Sequence, residues 1–164
     1  MSDLFHAEVP LEFIRKVWDV MEATPRHDYQ LLTKRPDRMR EVLSTGGFKV
    51  LPNAWLGTSV EGPDVVERID ALRQTPAAIR FVSFEPLIGR IEQVDLTHIA
   101  WAIVGGESGP GARPMEETWV WDLKRLCDRD GTAFFFKQWG GVNKKATGRS
   151  LGGETYDAMP ACIS

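Results

Sequence analysis

The chain reads as an α/β protein, a partial (β/α) barrel arc of about five parallel strands with helices outside, and two features lead there. Helix-length and strand-length apolar segments alternate along it. The same change from apolar to polar residues also closes five strand segments in turn: QLLTKR (30–35), AWLGTSVE (54–61), IRFVSFEP (79–86), IAWAIVGGES (99–108) and TAFFFKQW (132–139). Strands apolar on both faces pair in parallel, with helices returning the chain through right-handed crossovers. Parallel strands bring their carboxyl ends to one rim. Polar residues at all five ends favour a barrel arc over an open doubly wound sheet, whose site concentrates at one switch point.

The elements follow in order. Phe13, Ile14, Val17, Trp18, Val20 and Met21 recur at helical spacing over 10–23, with Pro10 suited to a first turn and Thr24-Pro25 closing the helix. A strand at 28–33 leads to Pro36-Asp37, which open a short helix with Met39, Val42 and Leu43 inward and Gly46-Gly47 as its stop. The strand 54–59 is followed by Gly62-Pro63-Asp64 and a helix placing Val65, Val66, Ile69 and Leu72 on one face. After the strand 79–84 comes an irregular crossover over 88–96, then a strand at 99–104. A helix over 116–129 carries Trp119, Leu123 and Leu126 on one stripe, ends at Gly131 and precedes the strand 132–136. Trp18, Trp119 and Trp121 are expected to pack rather than to contact a cofactor. Residues 1–141 are thus expected to form a partial barrel domain and 142–164 an irregular C-terminal tail, from which Lys144, Lys145 and Arg149 could approach an anion. The first element is a helix, so the arc is expected to lack a strand at its front, supplied by a partner chain or by a longer reading frame.

Composition narrows the functional classes. A chain of 164 residues with 43% hydrophobic content can bury one sizeable core. A net charge of -3 argues against a general grip on nucleic acid. No apolar stretch reaches the roughly 20 residues that span a bilayer, and MSDLFHAEVP lacks the order of a signal peptide, so cytoplasm is the expected compartment. Cys127, Cys162 and three scattered histidines make no metal-ligand spacing, and no metal site is expected from them.

The rim residues carry the chemistry. Lys34 and Arg35 precede a helix N-terminus, where a cation costs about 0.3–1 kcal/mol and a bound anion or a neighbouring carboxylate would offset the cost. Glu61, Glu85 and Glu107 occupy equivalent strand ends, so Lys/Arg–Glu pairs compete with ligand binding there. In the loop from Gly105 to Gly111, Glu107 would repel phosphate and suits an amine, a ribose hydroxyl or a divalent cation. Glu85, leaving a buried strand before Pro86, is the candidate acid-base residue unless a cation pairs with it. Lys34, Arg35 and Lys137 are expected to hold anionic groups, Ser59, Glu61 and Gln138 to orient the others, and Gly105 and Gly106 to let a ligand approach the backbone. Trp139 offers a stacking face, so single-stranded nucleic acid is a further candidate partner.

The blocks MSDLFHAEVP, LLTKRPDRM, WLGTSVE, RFVSFEPLIG, WAIVGGESGPGARPM and FFFKQWGG, with a closing GR-x-L-x-G-x-T-x-D-x-MP, resemble the bacteriophage gp-thirty-seven/gp-sixty-eight family of unknown function across essentially the whole chain. The resemblance implies a distant relative of radical S-adenosylmethionine enzymes, with a partial barrel and an N-terminal cysteine-rich segment that holds an iron-sulfur cluster. This sequence lacks that cysteine segment, so S-adenosylmethionine is the implied small-molecule ligand and the cluster requires a preceding segment. Radical enzymes of this kind carry Gly-Gly-Glu after an early strand, whereas Gly105-Gly106-Glu107 follows a late one; only a polar rim pocket is carried over. A non-enzymatic interaction module, pairing through the open edge of the strand 28–33, is the alternative of another class.

Overall fold

The computed structural model describes residues 3–142 and 147–160. Its elements run α1 (Leu11–Ala23), β1 (Tyr29–Thr33), α2 (Pro36–Thr45), β2 (Ala54–Ser59), α3 (Arg68–Gln74), β3 (Ile79–Phe84), β4 (Trp101–Gly105), α4 (Glu117–Asp130) and β5 (Ala133–Gln138). Pro36 opens α2 at a position where its missing N–H has no intrahelical partner to lose. Gly131 ends α4 in the left-handed region at φ 71°, which a residue with a Cβ adopts only at a cost. The helix expected to carry Val65 and Val66 starts later: Pro63–Val65 form a 3-10 turn, because Pro63 and Gly62 do not extend a regular helix, and both valines pack only partly against the core.

All five strands are parallel and each lies beside its predecessor in the chain, in the order β1-β2-β3-β4-β5. The order never reverses, so no switch point exists. The sheet is open, with β1 and β5 as its outer strands, and does not close into a barrel. One face carries the helices: Ile14 and Trp18 of α1, Met39 and Leu43 of α2, Ile69 and Leu72 of α3 and Leu123 and Leu126 of α4 share a core with Leu56, Val82, Val104 and Phe136. The opposite face carries Trp55, Ile79, Phe81 and Trp101, packed with Ile103 and Phe135 and, among the described residues, touched by no helix. Both faces are therefore apolar for different reasons, which is why the strands read as continuous apolar runs.

Between β3 and β4 the chain crosses without a helix. Leu87, Ile91 and Leu96 anchor this stretch in the core, each fully buried side chain contributing about 1.5–3 kcal/mol. Polar bonds to α4 fix its course: Arg90 to Asp122 at 2.7 Å, the Leu96 N–H to Asp130 at 2.8 Å and Arg129 to the Val94 carbonyl at 2.8 Å.

Residues 147–160 pack along the β5 side. Leu151 is fully buried in the helical core, the Phe136 N–H donates to the Tyr156 carbonyl at 2.9 Å, and the Trp101 indole N–H donates to the Ala158 carbonyl at 2.9 Å. Arg149 pairs with Asp157 and lies 5.2 Å over the Phe135 ring. Lys144, Lys145 and Cys162 lie outside the described residues. Among the described residues no helix is long and apolar enough to cross a membrane.

Candidate functional site

The strand register builds the site in layers on the helix-free face. Gln30 and Trp55 face Ile79 at the bottom, Leu32 and Gly57 lie level with Phe81 and Trp101 above, and Ser59, Ser83, Ile103 and Phe135 form the next layer. The lower layers are aromatic and the upper edge polar. At that edge a cavity of about 520 Å³ is lined by Leu32, Lys34, Ser59, Ser83, Glu85 and Pro86 on one side and by Gly106, Glu107, Ser108, Lys137 and Gln138 on the other. Its volume suits a small-molecule site. A second cavity of about 700 Å³ adjoins it, shares Lys34, Pro86 and Glu107, and adds Glu61, Arg68 and Arg113.

Each rim cation meets a carboxylate. Lys137 Nζ lies 2.9 Å from Glu85 Oε2, and the Gln138 amide donates to Glu85 Oε1 at 3.3 Å and to Ser108 Oγ at 3.0 Å. Lys34 pairs with Glu61, whose other oxygen accepts from Arg68 at 2.9 Å. Burial pushes the Glu61 carboxyl upward, but the hydrogen bond and charge of Lys34, with the charge of Arg68, outweigh it and hold the group below its usual range. Arg113 grips Glu107 with two side-chain bonds of 2.8 Å and its backbone N–H at 2.9 Å. Those bonds hold the Glu107 carboxyl down at about 2. An incoming amine would have to displace Arg113 to reach it.

Two hydroxyls differ from this pattern. Ser59 and Ser83 lie side by side in register, each only 4% exposed, and their hydroxyls make no hydrogen bond to any described residue. A hydroxyl without a protein partner that still reaches solvent keeps its bonds to water until a ligand replaces them. Here both open into the 520 Å³ cavity.

The loops after β4 and β5 are joined by their backbones. The Gly106 N–H donates to the Gln138 carbonyl at 3.0 Å, and the Gly141 N–H to the Glu107 carbonyl at 2.6 Å. A Cβ on Gly106 would stand 1.9 Å from the Trp139 carbonyl oxygen, so the crossing admits only glycine. This glycine serves the approach of two loops. Trp139 leans on Phe136 at 4.9 Å between centroids and donates to the Ser150 carbonyl at 2.8 Å, and it does not line the cavity.

The structure thus brings together Lys34, Ser59, Glu85, Gly106, Glu107, Lys137 and Gln138, with Glu61 in the adjoining cavity and Gly105 directly beneath Glu85. It separates Arg35, which lines a different cavity with His6 and Val9 and pairs with Asp3 at 3.0 Å. Asp3 also accepts from Thr33 at 2.8 Å and from the Lys34 N–H at 3.2 Å. Burial raises the Asp3 carboxyl, yet the Thr33 hydroxyl, the Phe5 and Lys34 amides and Arg35 together carry it below its ordinary value. The Asp3 carboxylate stands beside these residues at the start of α2.

Ser83, Ser108, Arg68 and Arg113 were not anticipated. A signal existed for Ser83: Ser59-Val60-Glu61 and Ser83-Phe84-Glu85 repeat one Ser-x-Glu pattern at two strand ends. An iron-sulfur cluster does not fit the described residues. Cys127 is buried on α4 in the helical core, where burial first and the Asp128 charge second push its thiol up to about 12. Among the described residues no three His, Cys, Asp or Glu side chains group as metal ligands.

Searches of curated proteins and of solved structures gave no match. A family model matches residues 1–160, nearly the full length, and its description assigns no activity. The chain belongs to the family described as protein of unknown function DUF5131.

Proposed function

We propose that this chain is a radical-SAM-like half barrel of a phage-related protein and that the cavity above Ser59 and Ser83 binds a nucleoside-type ligand bearing an amino-acid group, of which S-adenosylmethionine is the model. The observation that carries the reading is the pair of hydroxyls on Ser59 and Ser83, free of protein partners and open to the cavity beneath a ring of opposed charges. Ser59 and Ser83 can donate to or accept from ribose hydroxyls, Glu85 can take an ammonium group, and Lys34 or Lys137 a carboxylate. Glu85 is the acid-base candidate, held by Lys137 and Gln138 until a ligand exchanges with them. When bound, the ligand would supply a transferable carbon group; no cluster-dependent step is assigned, because among the described residues no cysteine lies at the rim. The strand order without reversal and the confinement of the helices to one face support the half-barrel part.

Nucleic acid is the weaker reading. Lys34, Lys137, Arg68 and Arg113 each pair with a glutamate, which leaves little net positive charge for a phosphate backbone. Calorimetric titration of the purified chain with S-adenosylmethionine tests the proposal. Saturable one-site binding that disappears in Ser59→Ala/Ser83→Ala supports it. No binding, or binding indifferent to both serines, overturns it.

A further inference from the structure

We infer that Gln138 selects an amino group on the ligand of the rim cavity, its side-chain carbonyl accepting an N–H from that group, a role that rests on a nucleoside bearing an amino-acid group occupying the cavity. An irregularity in the sheet puts the residue there. Phe134 and Phe136 pack in the helical core and Phe135 on the helix-free face, so regular alternation would turn Lys137 to the cavity and Gln138 to the helices. Val104 pairs with Phe136, but Gly105 pairs with Gln138, which leaves Lys137 without a partner on β4. This bulge turns two successive side chains, Lys137 and Gln138, into one cavity. The backbone is held there, because the Gly106 N–H donates to the Gln138 carbonyl at 3.0 Å at the crossing that only glycine fits.

The surroundings fix which way round the Gln138 amide lies. Its nitrogen donates to Ser108 Oγ at 3.0 Å, to Glu85 Oε1 at 3.3 Å and to the Gly106 carbonyl at 3.5 Å. A carboxylate and a carbonyl only accept, so turning the amide over would set its oxygen against both. The nitrogen is committed to the protein and the oxygen is not. No described residue donates to Gln138 Oε1, and that atom is not sealed from solvent. Glu85 and Glu107 are gripped by Lys137 and Arg113, whereas this acceptor is open without displacing a cation. A ligand amino group meets a fixed acceptor at Gln138, and an oxo group in the same place would set two acceptors face to face. The ammonium of an amino acid and the exocyclic amine of a base both supply the N–H.

Calorimetric titration with three probes separates those two sources: S-adenosylmethionine, its α-keto analogue, with an oxo group in place of the ammonium, and its inosine analogue, with an oxo group in place of the base amine. The native chain should bind S-adenosylmethionine at least about tenfold tighter than one of the two analogues, and Gln138→Met should remove that preference. The analogue whose disadvantage disappears identifies the amino group that Gln138 meets. The Gln138 side-chain carbonyl carbon should shift in NMR on adding S-adenosylmethionine and not on adding that analogue, which a role confined to holding Glu85 would not produce. No preference against either analogue, a preference that Gln138→Met leaves unchanged, or a carbonyl signal indifferent to the ligand would overturn the inference and leave Ser59 and Ser83 as the ligand's seat. No binding of S-adenosylmethionine would overturn both.

Discussion

Lys137 and Glu85 are 52 residues apart and come from strands that are not neighbours, yet their side chains meet at 2.9 Å above Gly105 of the intervening strand. A Cβ at Gly105 would stand 3.4 Å from the Glu85 carboxyl carbon, so the branched carbons of a larger residue would enter the path of the pair. A partly exposed ion pair couples by about 0.2–1 kcal/mol. A double-mutant cycle with Glu85→Gln and Lys137→Met, read by urea unfolding, should give that coupling in the native background and none in Gly105→Val. Equal coupling in both backgrounds would mean the pair does not depend on the open space at 105.

Ser59 and Ser83 separate a ligand role from a stability role. Removing a hydroxyl that has no protein partner leaves no group stranded, so Ser59→Ala and Ser83→Ala should each move the unfolding free energy by less than about 1 kcal/mol. Loss of a structural hydrogen bond would instead lower stability measurably. A drop of several kcal/mol in chemical denaturation would show that the hydroxyls serve the fold.

The strands were legible because both faces are apolar, helices covering one and Trp55, Phe81, Trp101 and Phe135 the other, so each run stops only at the rim. That stop also located Lys34, Glu85 and Lys137. What the sequence could not convey was partner choice. Asp3 reaches Thr33 and Arg35 across thirty residues without a pattern linking them, and Arg113 lies in a glycine- and proline-rich loop where nothing marks it as the clamp on Glu107. The closing segment was harder still. Its anchors are one buried leucine, the Tyr156 ring and the backbone carbonyls of Gly148, Ser150, Tyr156 and Ala158, and periodicity cannot reveal an element built on single residues.

Leu151 gives that segment its measurable energy. It is fully buried, and truncating a buried leucine costs about 2–5 kcal/mol through lost transfer energy and the cavity left behind. Leu151→Ala should lower the thermal midpoint and release the Trp101 indole from the Ala158 carbonyl. Hydrogen exchange at the Trp101 indole would report the release. Full retention of stability would show that residues 147–160 contribute little to the fold.

Glu107 and Arg113 set an acid limit on the rim. The folded Glu107 carboxyl lies at about 2, below its ordinary 4.5, so protons bind the unfolded chain more readily than the folded one. Its contribution is then fully present above about 4.5, fades as pH falls toward 2 and is gone below that. Glu61 and Asp3, also lowered, act in the same direction. A carboxyl carbon NMR titration should place Glu107 near 2 in the native chain and return it toward 4.5 in Arg113→Gln, where the three bonds to its oxygens are lost or weakened. A native Glu107 titrating at its ordinary value would show that Arg113 does not hold it in solution, leaving the carboxylate free for a ligand amine.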